Sequence, residues 1–132
     1  MQISAQVSNS GSQHSVIVDT DGSLKTLPIS GRPFGGSAVN GGELLMLALA
    51  TCYCNDLYRE AAKRNIHIEE VHVQARADFP GVGLAAKNIR YSVRVKADAN
   101  GDALAALLRE TDKVAEVQNT VRAGVDVELE QD

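Results

Sequence analysis

The run "LLMLALA", Leu44 to Ala50, is apolar at every position and lies near the start of a longer helical stretch, Glu43 to Asn65. A helix that is hydrophobic all round has to be enclosed by protein, because a surface helix keeps one polar face. The run is too short to cross a bilayer, which takes about 20 apolar residues. The second half of the stretch, "NDLYREAAKRN", is amphipathic and ends in basic residues suited to the negative end of a helix dipole. A chain of 132 residues forms one small domain, expected to span residues 1–132. Its sheet can cover only one side of such a helix. A second copy would cover the other, so the chain is expected to be a symmetric homodimer whose core includes the central helices.

The segments around the helix read as strands. "ISAQVS" and "HSVIVDT" alternate apolar and polar residues, the period of a half-buried strand, with the turn-forming "NSGSQ" between them. An Asp-Gly turn leads to a short third strand that Pro28 confines to an edge. "SGRPFGGSAVNGG", residues 30–42, is Gly-rich and has no periodicity. Long irregular segments in compact domains are often functional. After the helix, "HIEEVHVQARADF" and "KNIRYSVRVKAD" alternate strictly. "NGDALAALLRETDKVAEV" carries Leu104, Leu107 and Leu108 at helical spacing, and "TVRAGVDVELE" reads as a closing strand. The predicted order is βββ-α-ββ-α-β, an α+β fold of antiparallel sheet around a long buried central helix.

Composition narrows the function classes. The net charge of −4 and the absence of a basic stripe argue against a nucleic-acid partner. The opening "MQISAQVSNSGS" has neither the cationic nor the apolar region of a signal peptide, and no membrane segment is expected. Two cysteines do not make a secreted disulfide framework, so a reducing cytoplasm is the expected compartment.

The two cysteines, Cys52 and Cys54, both fall inside the helix. Residues two apart on a helix point about 200° away from one another, which rules out a disulfide without unwinding and defeats chelation. His67 and His72 face opposite sides of a predicted strand and read as ordinary strand residues rather than zinc ligands, so neither metal nor cofactor is expected. Cys52 continues a stripe from Leu45 and Ala48 that goes on to Asp56 and Arg59. Two readings fit. Cys52 is a core thiol beside an Asp56–Arg59 surface ion pair, or a reactive thiol whose charged neighbours serve it. Its mid-helix place denies it the dipole of its own helix N-terminus, and Asp56 alone would raise its pKa. A reactive Cys52 therefore needs a cation, from Arg59 or from Arg32 in the Gly-rich loop.

"NGGELLMLALATCYCND" resembles the central-helix motif of the OsmC/Ohr family, commonly Pro-x-Glu-(apolar)n-Ala-Cys. The order of elements is similar across nearly the whole chain. The resemblance implies an intertwined dimer with active sites at its interface, and it implies that Cys52 corresponds to the peroxide-attacking cysteine. It further implies thiol-dependent reduction of organic hydroperoxides, with Arg32 or Arg59 holding the thiolate and Glu43 holding the arginine or capping the helix. An external thiol would be the reductant, or Cys54 after local unwinding. The sequence departs from the pattern at four places. Gly42 stands ten residues before Cys52, where the peroxidases carry glutamate, and Glu43 stands nine before, the spacing of a less characterised branch that also tends to carry an acid like Asp56. Gly41 replaces the usual proline, Ala115 replaces the second cysteine, and "NSGSQHS" lacks the active-site arginine. The alternative is a non-catalytic module that binds a small hydrophobic ligand at the dimer interface, with Cys52 in its wall.

Overall fold

The computed structural model describes residues 1–131. The elements are β1 (Ile3–Ser10), β2 (Gln13–Thr20), β3 (Ser23–Leu27), α1 (Gly41–Lys63), β4 (Ile68–Asp78), β5 (Lys87–Ala97), α2 (Gly101–Val114) and α3 (Glu116–Ala123). The chain forms two compact units, one of residues Met1–Leu44 and one that begins at Leu45. The expected α+β class, the antiparallel pairing and the order of elements through α2 are all present.

The first unit is a three-stranded antiparallel meander with β2 in the middle. Ile3 pairs with Thr20, and Val16 pairs with both Val7 and Leu27. β3 is an edge strand and stops one residue before Pro28, whose missing N–H could not continue a ladder. The Gly-rich segment folds back on itself through a bridge between Gly31 and Ser37. A Cβ on Gly31 would lie 2.8 Å from the Cβ of His14, so glycine is required for this approach. His14 Nε2 in turn hydrogen-bonds Ser37 Oγ at 2.6 Å.

In the second unit, β4 and β5 form a two-stranded antiparallel sheet. The body of α1 packs on it through Tyr53, Leu57 and Ala61, which join Ile68 and Leu107 in one buried cluster. Val71, Val73, Val93 and Val95 supply the sheet side of that core, and Leu104 and Leu108 supply the α2 side. The buried stripe of α1 is Leu49–Tyr53–Leu57–Ala61. Cys52 and Asp56 flank this stripe, where the sequence had suggested that Cys52 lies on it. The apolar run is not enclosed on every side within one chain, because Leu47 remains 59% exposed.

The end of the chain departs from expectation. The helix predicted through Val117 ends at Val114, and Ala115, in an extended conformation, separates it from α3. The closing strand expected over "TVRAGVDVELE" is absent. Its first residues belong to α3, and residues 125–131 have no regular structure. The buried face of α3 holds Gln118, whose Nε2 donates to Leu49 O at 2.9 Å and ties the helix to α1. Gly124, at φ 61°, ends the helix in the left-handed conformation that glycine adopts without strain. The alternation of Val125, Val127 and Leu129 describes a strand only when an edge lies beside it. All three are exposed here.

Candidate active site around Cys52

Cys52 and Cys54 are both free and half-buried, and they occupy different faces of α1. Cys54 lines a cavity of about 240 Å³ with Ala50, Thr51, Asn55 and Val73. Cys52 faces Asp56, one turn on, and its thiol donates to Asp56 Oδ2 at 3.8 Å. The other carboxylate oxygen, Oδ1, accepts from Arg59 Nη1 at 2.9 Å. Asp56 is 5% exposed, so burial makes this pairing matter, since an unpaired buried carboxylate is costly. Arg59 is also engaged by Glu60, through Nε at 3.3 Å, and Glu60 accepts from Lys63 at 2.9 Å. The stripe read from the sequence therefore exists as a chain of contacts, thiol to carboxylate to guanidinium.

The tight connection at Ala115 turns the chain so that α3 begins beside the sulfur. Ala115 makes no side-chain cap, which leaves the first N–H groups of α3 free of a capping oxygen. The backbone N–H groups of Val117 and Glu116 bear on the Cys52 sulfur and lower its pKa. Against them stand burial, the largest effect, and the carboxylates of Asp56 and Glu116. The net result is a thiol whose pKa lies above its ordinary value of 9.0. Cys52 thus does meet a helix N-terminus, that of a second helix rather than of its own. Cys52, Asp56 and Glu116 place one possible ligand atom each within 4.8 Å of one another. This set can share a proton, and it also has the chemistry of a partial divalent-cation site.

The remaining expected residues lie in the first unit. Glu43 and Asn40 form a reciprocal cap, with Asn40 N–H donating to Glu43 Oε1 at 2.9 Å and Glu43 N–H donating to Asn40 Oδ1 at 2.7 Å. Of the two roles offered for Glu43, helix capping is the one its carboxylate performs here. Arg32 Nε donates to Ser37 O at 2.7 Å and closes the Gly-rich loop. Glu116 and the α3 amides were not singled out from sequence. Their presence at the site depends on a helix begun at Ala115, which alternation in the following residues concealed. No helix among the described residues is long and apolar enough to cross a membrane.

With this geometry in hand, the chain can be compared with known proteins. The family model for OsmC-like proteins matches residues 34–130. A comparison with curated proteins finds no significant match. Among solved structures, the chain is similar to an OsmC-like protein from Mycoplasma pneumoniae, with a TM-score of 0.64 and 15% identity over 92% of this chain and 86% of that one. It is also similar to an organic hydroperoxide resistance protein OsmC from Legionella pneumophila, with a TM-score of 0.53 and 21% identity over 96% and 93% of the two chains. The organic hydroperoxide resistance protein OhrB of Bacillus subtilis is comparable, at 0.53 and 16% over 98% and 97%. At such identities these structures establish the fold alone. The match to the family model covers most of the chain, and the chain belongs to the OsmC-like protein family.

Proposed function

We propose that the protein is a thiol-dependent hydroperoxide reductase in which Cys52 attacks the peroxide. The observation that carries this reading is the Cys52–Asp56–Arg59 relay lying beside the free amides of α3. With its pKa raised, the sulfur is a thiol at neutral pH, and attack needs a base at hand. Asp56 Oδ2 takes the thiol proton as sulfur bonds to the nearer peroxide oxygen and the O–O bond breaks. The proton then passes to the departing alkoxide, so that Cys–SH and ROOH become Cys–SOH and ROH. Arg59, held on Asp56 Oδ1, keeps the carboxylate oriented. The N–H groups of Glu116 and Val117 stabilise the charge that develops on sulfur. Two equivalents of an external thiol, or one dithiol, return Cys–SOH to Cys–SH with release of water and a disulfide. The working form is a cytoplasmic homodimer in which a second copy covers the exposed Leu44 and Leu47 of α1.

The test is consumption of an organic hydroperoxide by the purified protein with a dithiol present, set against Cys52→Ser and Cys54→Ser. Loss of activity in Cys52→Ser alone supports the proposal, and equal activity in all three proteins refutes it. The raised thiol pKa favours one second reading, a non-catalytic module in which Cys52 forms part of the wall of a small-ligand pocket. Wild-type protein that consumes no peroxide yet binds a small hydrophobic ligand would select it.

A further inference from the structure

The first unit holds a second group of chemically active side chains, on the hairpin of β1 and β2 and on the Gly-rich loop that follows β3. Asn9 and His14 are directly opposed across the hairpin, which puts both side chains on the face that also carries the buried Val16. His14 Nδ1 lies 3.1 Å from Asn9 Oδ1, and His14 Nε2 lies 2.6 Å from Ser37 Oγ. One imidazole thus links an amide oxygen to a hydroxyl.

The Asn9 oxygen can only accept, so His14 carries its proton on Nδ1 and donates it there. Nε2 is left with a lone pair and accepts from the Ser37 hydroxyl. Hydroxyl, imidazole and orienting group in that order are what activates a serine as a nucleophile. Both bonds lie within the reach of roughly 2.6–3.2 Å that proton transfer requires. The loop holds its members in place. A Cβ at Gly31 would come within 3.2 Å of His14 Cγ, so the Gly31 backbone pins the imidazole from one side. Arg32 Nε donates to Ser37 O at 2.7 Å, which fixes the backbone of the serine.

The turn that presents Ser37 also leaves room for a substrate. Gly35 and Gly36 take successive φ angles of 109° and 87°, a sharp reversal just before the nucleophile. A Cβ built on Gly36 would meet nothing within 4 Å, so the space next to Ser37 is open. Among the described residues, the N–H groups of Gly36 and Ser37 donate to no backbone acceptor. Free amides at and beside a nucleophilic serine are suitable donors to a tetrahedral oxyanion.

We infer that Asn9, His14 and Ser37 form an acyl-transfer site that does not use Cys52 and that hydrolyses small activated carboxylic esters. Ser37 Oγ attacks the ester carbonyl carbon as His14 Nε2 takes its proton, and the Gly36 and Ser37 amides hold the oxyanion. The bond from that carbon to the leaving oxygen breaks, and the imidazolium gives its proton to the leaving group. Acyl-Ser37 and an alcohol or phenol result. Water, losing a proton to His14, then attacks the acyl carbon. The bond to Oγ breaks, the proton returns to Oγ, and a carboxylic acid leaves. Asn9 is a positioning residue. It fixes the tautomer without the negative charge that would stabilise the imidazolium, so turnover is slow and a good leaving group is required.

The substrate for the test is p-nitrophenyl acetate, given to the full chain after its two free thiols are capped with iodoacetamide, so that release of p-nitrophenol does not report on cysteine. Ser37→Ala and His14→Ala should each cut the protein-dependent rate at least about tenfold. Ser15→Ala removes a hydroxyl from the other face of the same hairpin and should leave the rate unchanged. Asn9→Ala should slow hydrolysis. Asn9→Asp should be at least as fast as wild type, because a carboxylate also accepts from Nδ1–H and adds the missing charge, a gain that a merely structural bond would not give. One measurement needs no variant. Wild type treated with diisopropyl fluorophosphate should carry the phosphoryl group on Ser37 in peptide mapping. No label on Ser37, a Ser37→Ala rate equal to that of wild type, a Ser15→Ala loss as large as that of Ser37→Ala, or an Asn9→Asp rate below that of wild type would each overturn the assignment.

Discussion

Replacing Tyr53 by phenylalanine separates the two contributions of the residue that follows Cys52. The Tyr53 ring is 2% exposed in the core, and its hydroxyl donates to Leu108 O at 2.9 Å. That bond fastens α2 to α1 and so helps to place Ala115 and the start of α3. At neutral pH its loss should cost about 1 kcal/mol, because Leu108 O keeps its helical acceptor role and no large cavity opens. Melting temperature should fall by roughly 4 °C. Alkaline pH changes the sign. Burial, aided by the Asp112 carboxylate, pushes the Tyr53 pKa up from 10.0 to about 12. An acid whose pKa is raised on folding contributes stability that is intact below its unfolded pKa and lost as pH climbs toward its folded value. Wild type should therefore lose about 1.4 kcal/mol by pH 11 and about 2.7 kcal/mol once Tyr53 is fully ionised, at ~1.36 kcal/mol per unit. Tyr53→Phe loses none of this, and the two stability curves should cross near pH 11. Urea denaturation at several pH values reads the crossing. Parallel curves from neutral to alkaline pH would show that Tyr53 is not the buried acid described here.

Asp56→Asn should affect Cys52 in opposite directions in two assays. Iodoacetamide alkylation of Cys52 at neutral pH should quicken, because a carboxylate that raises the thiol pKa is gone. Peroxide consumption should slow by about a hundredfold or more, because the proton acceptor is gone as well. Leu57→Ala, at a site with 0% exposure, should cost about 2–5 kcal/mol in chemical denaturation without changing m. Concentration-dependent light scattering should find a dimer at micromolar concentration, and a stable monomer there would remove the need for a partner over Leu47.

Local pattern carried the fold where local pattern decides it. Strict alternation marked β4 and β5, and the Leu104, Leu107 and Leu108 spacing marked α2. The stop at Ala115 and the helix after it were not legible. Val117, Val121, Val125 and Val127 fit either period in part, and the choice fell to Gln118, whose hydrogen bond to Leu49 O is a long-range fact. That single helix also decides the site. The sequence placed Cys52, Asp56 and Arg59 on one stripe, and they are in contact there. It could not place Glu116 and the α3 amides beside the sulfur.

Peroxide titration followed by peptide mapping of both cysteines tests the assignment of Cys52 most directly. Cys52 should oxidise first, passing through sulfenic acid and, with Ala115 where a second cysteine would resolve it, on to the irreversible sulfinic form in excess hydroperoxide. Cys54, against Val73 and without a carboxylate relay, should lag behind. Oxidation of Cys54 first, or of both at the same rate, would contradict the reading of Cys52 as the peroxide-attacking thiol.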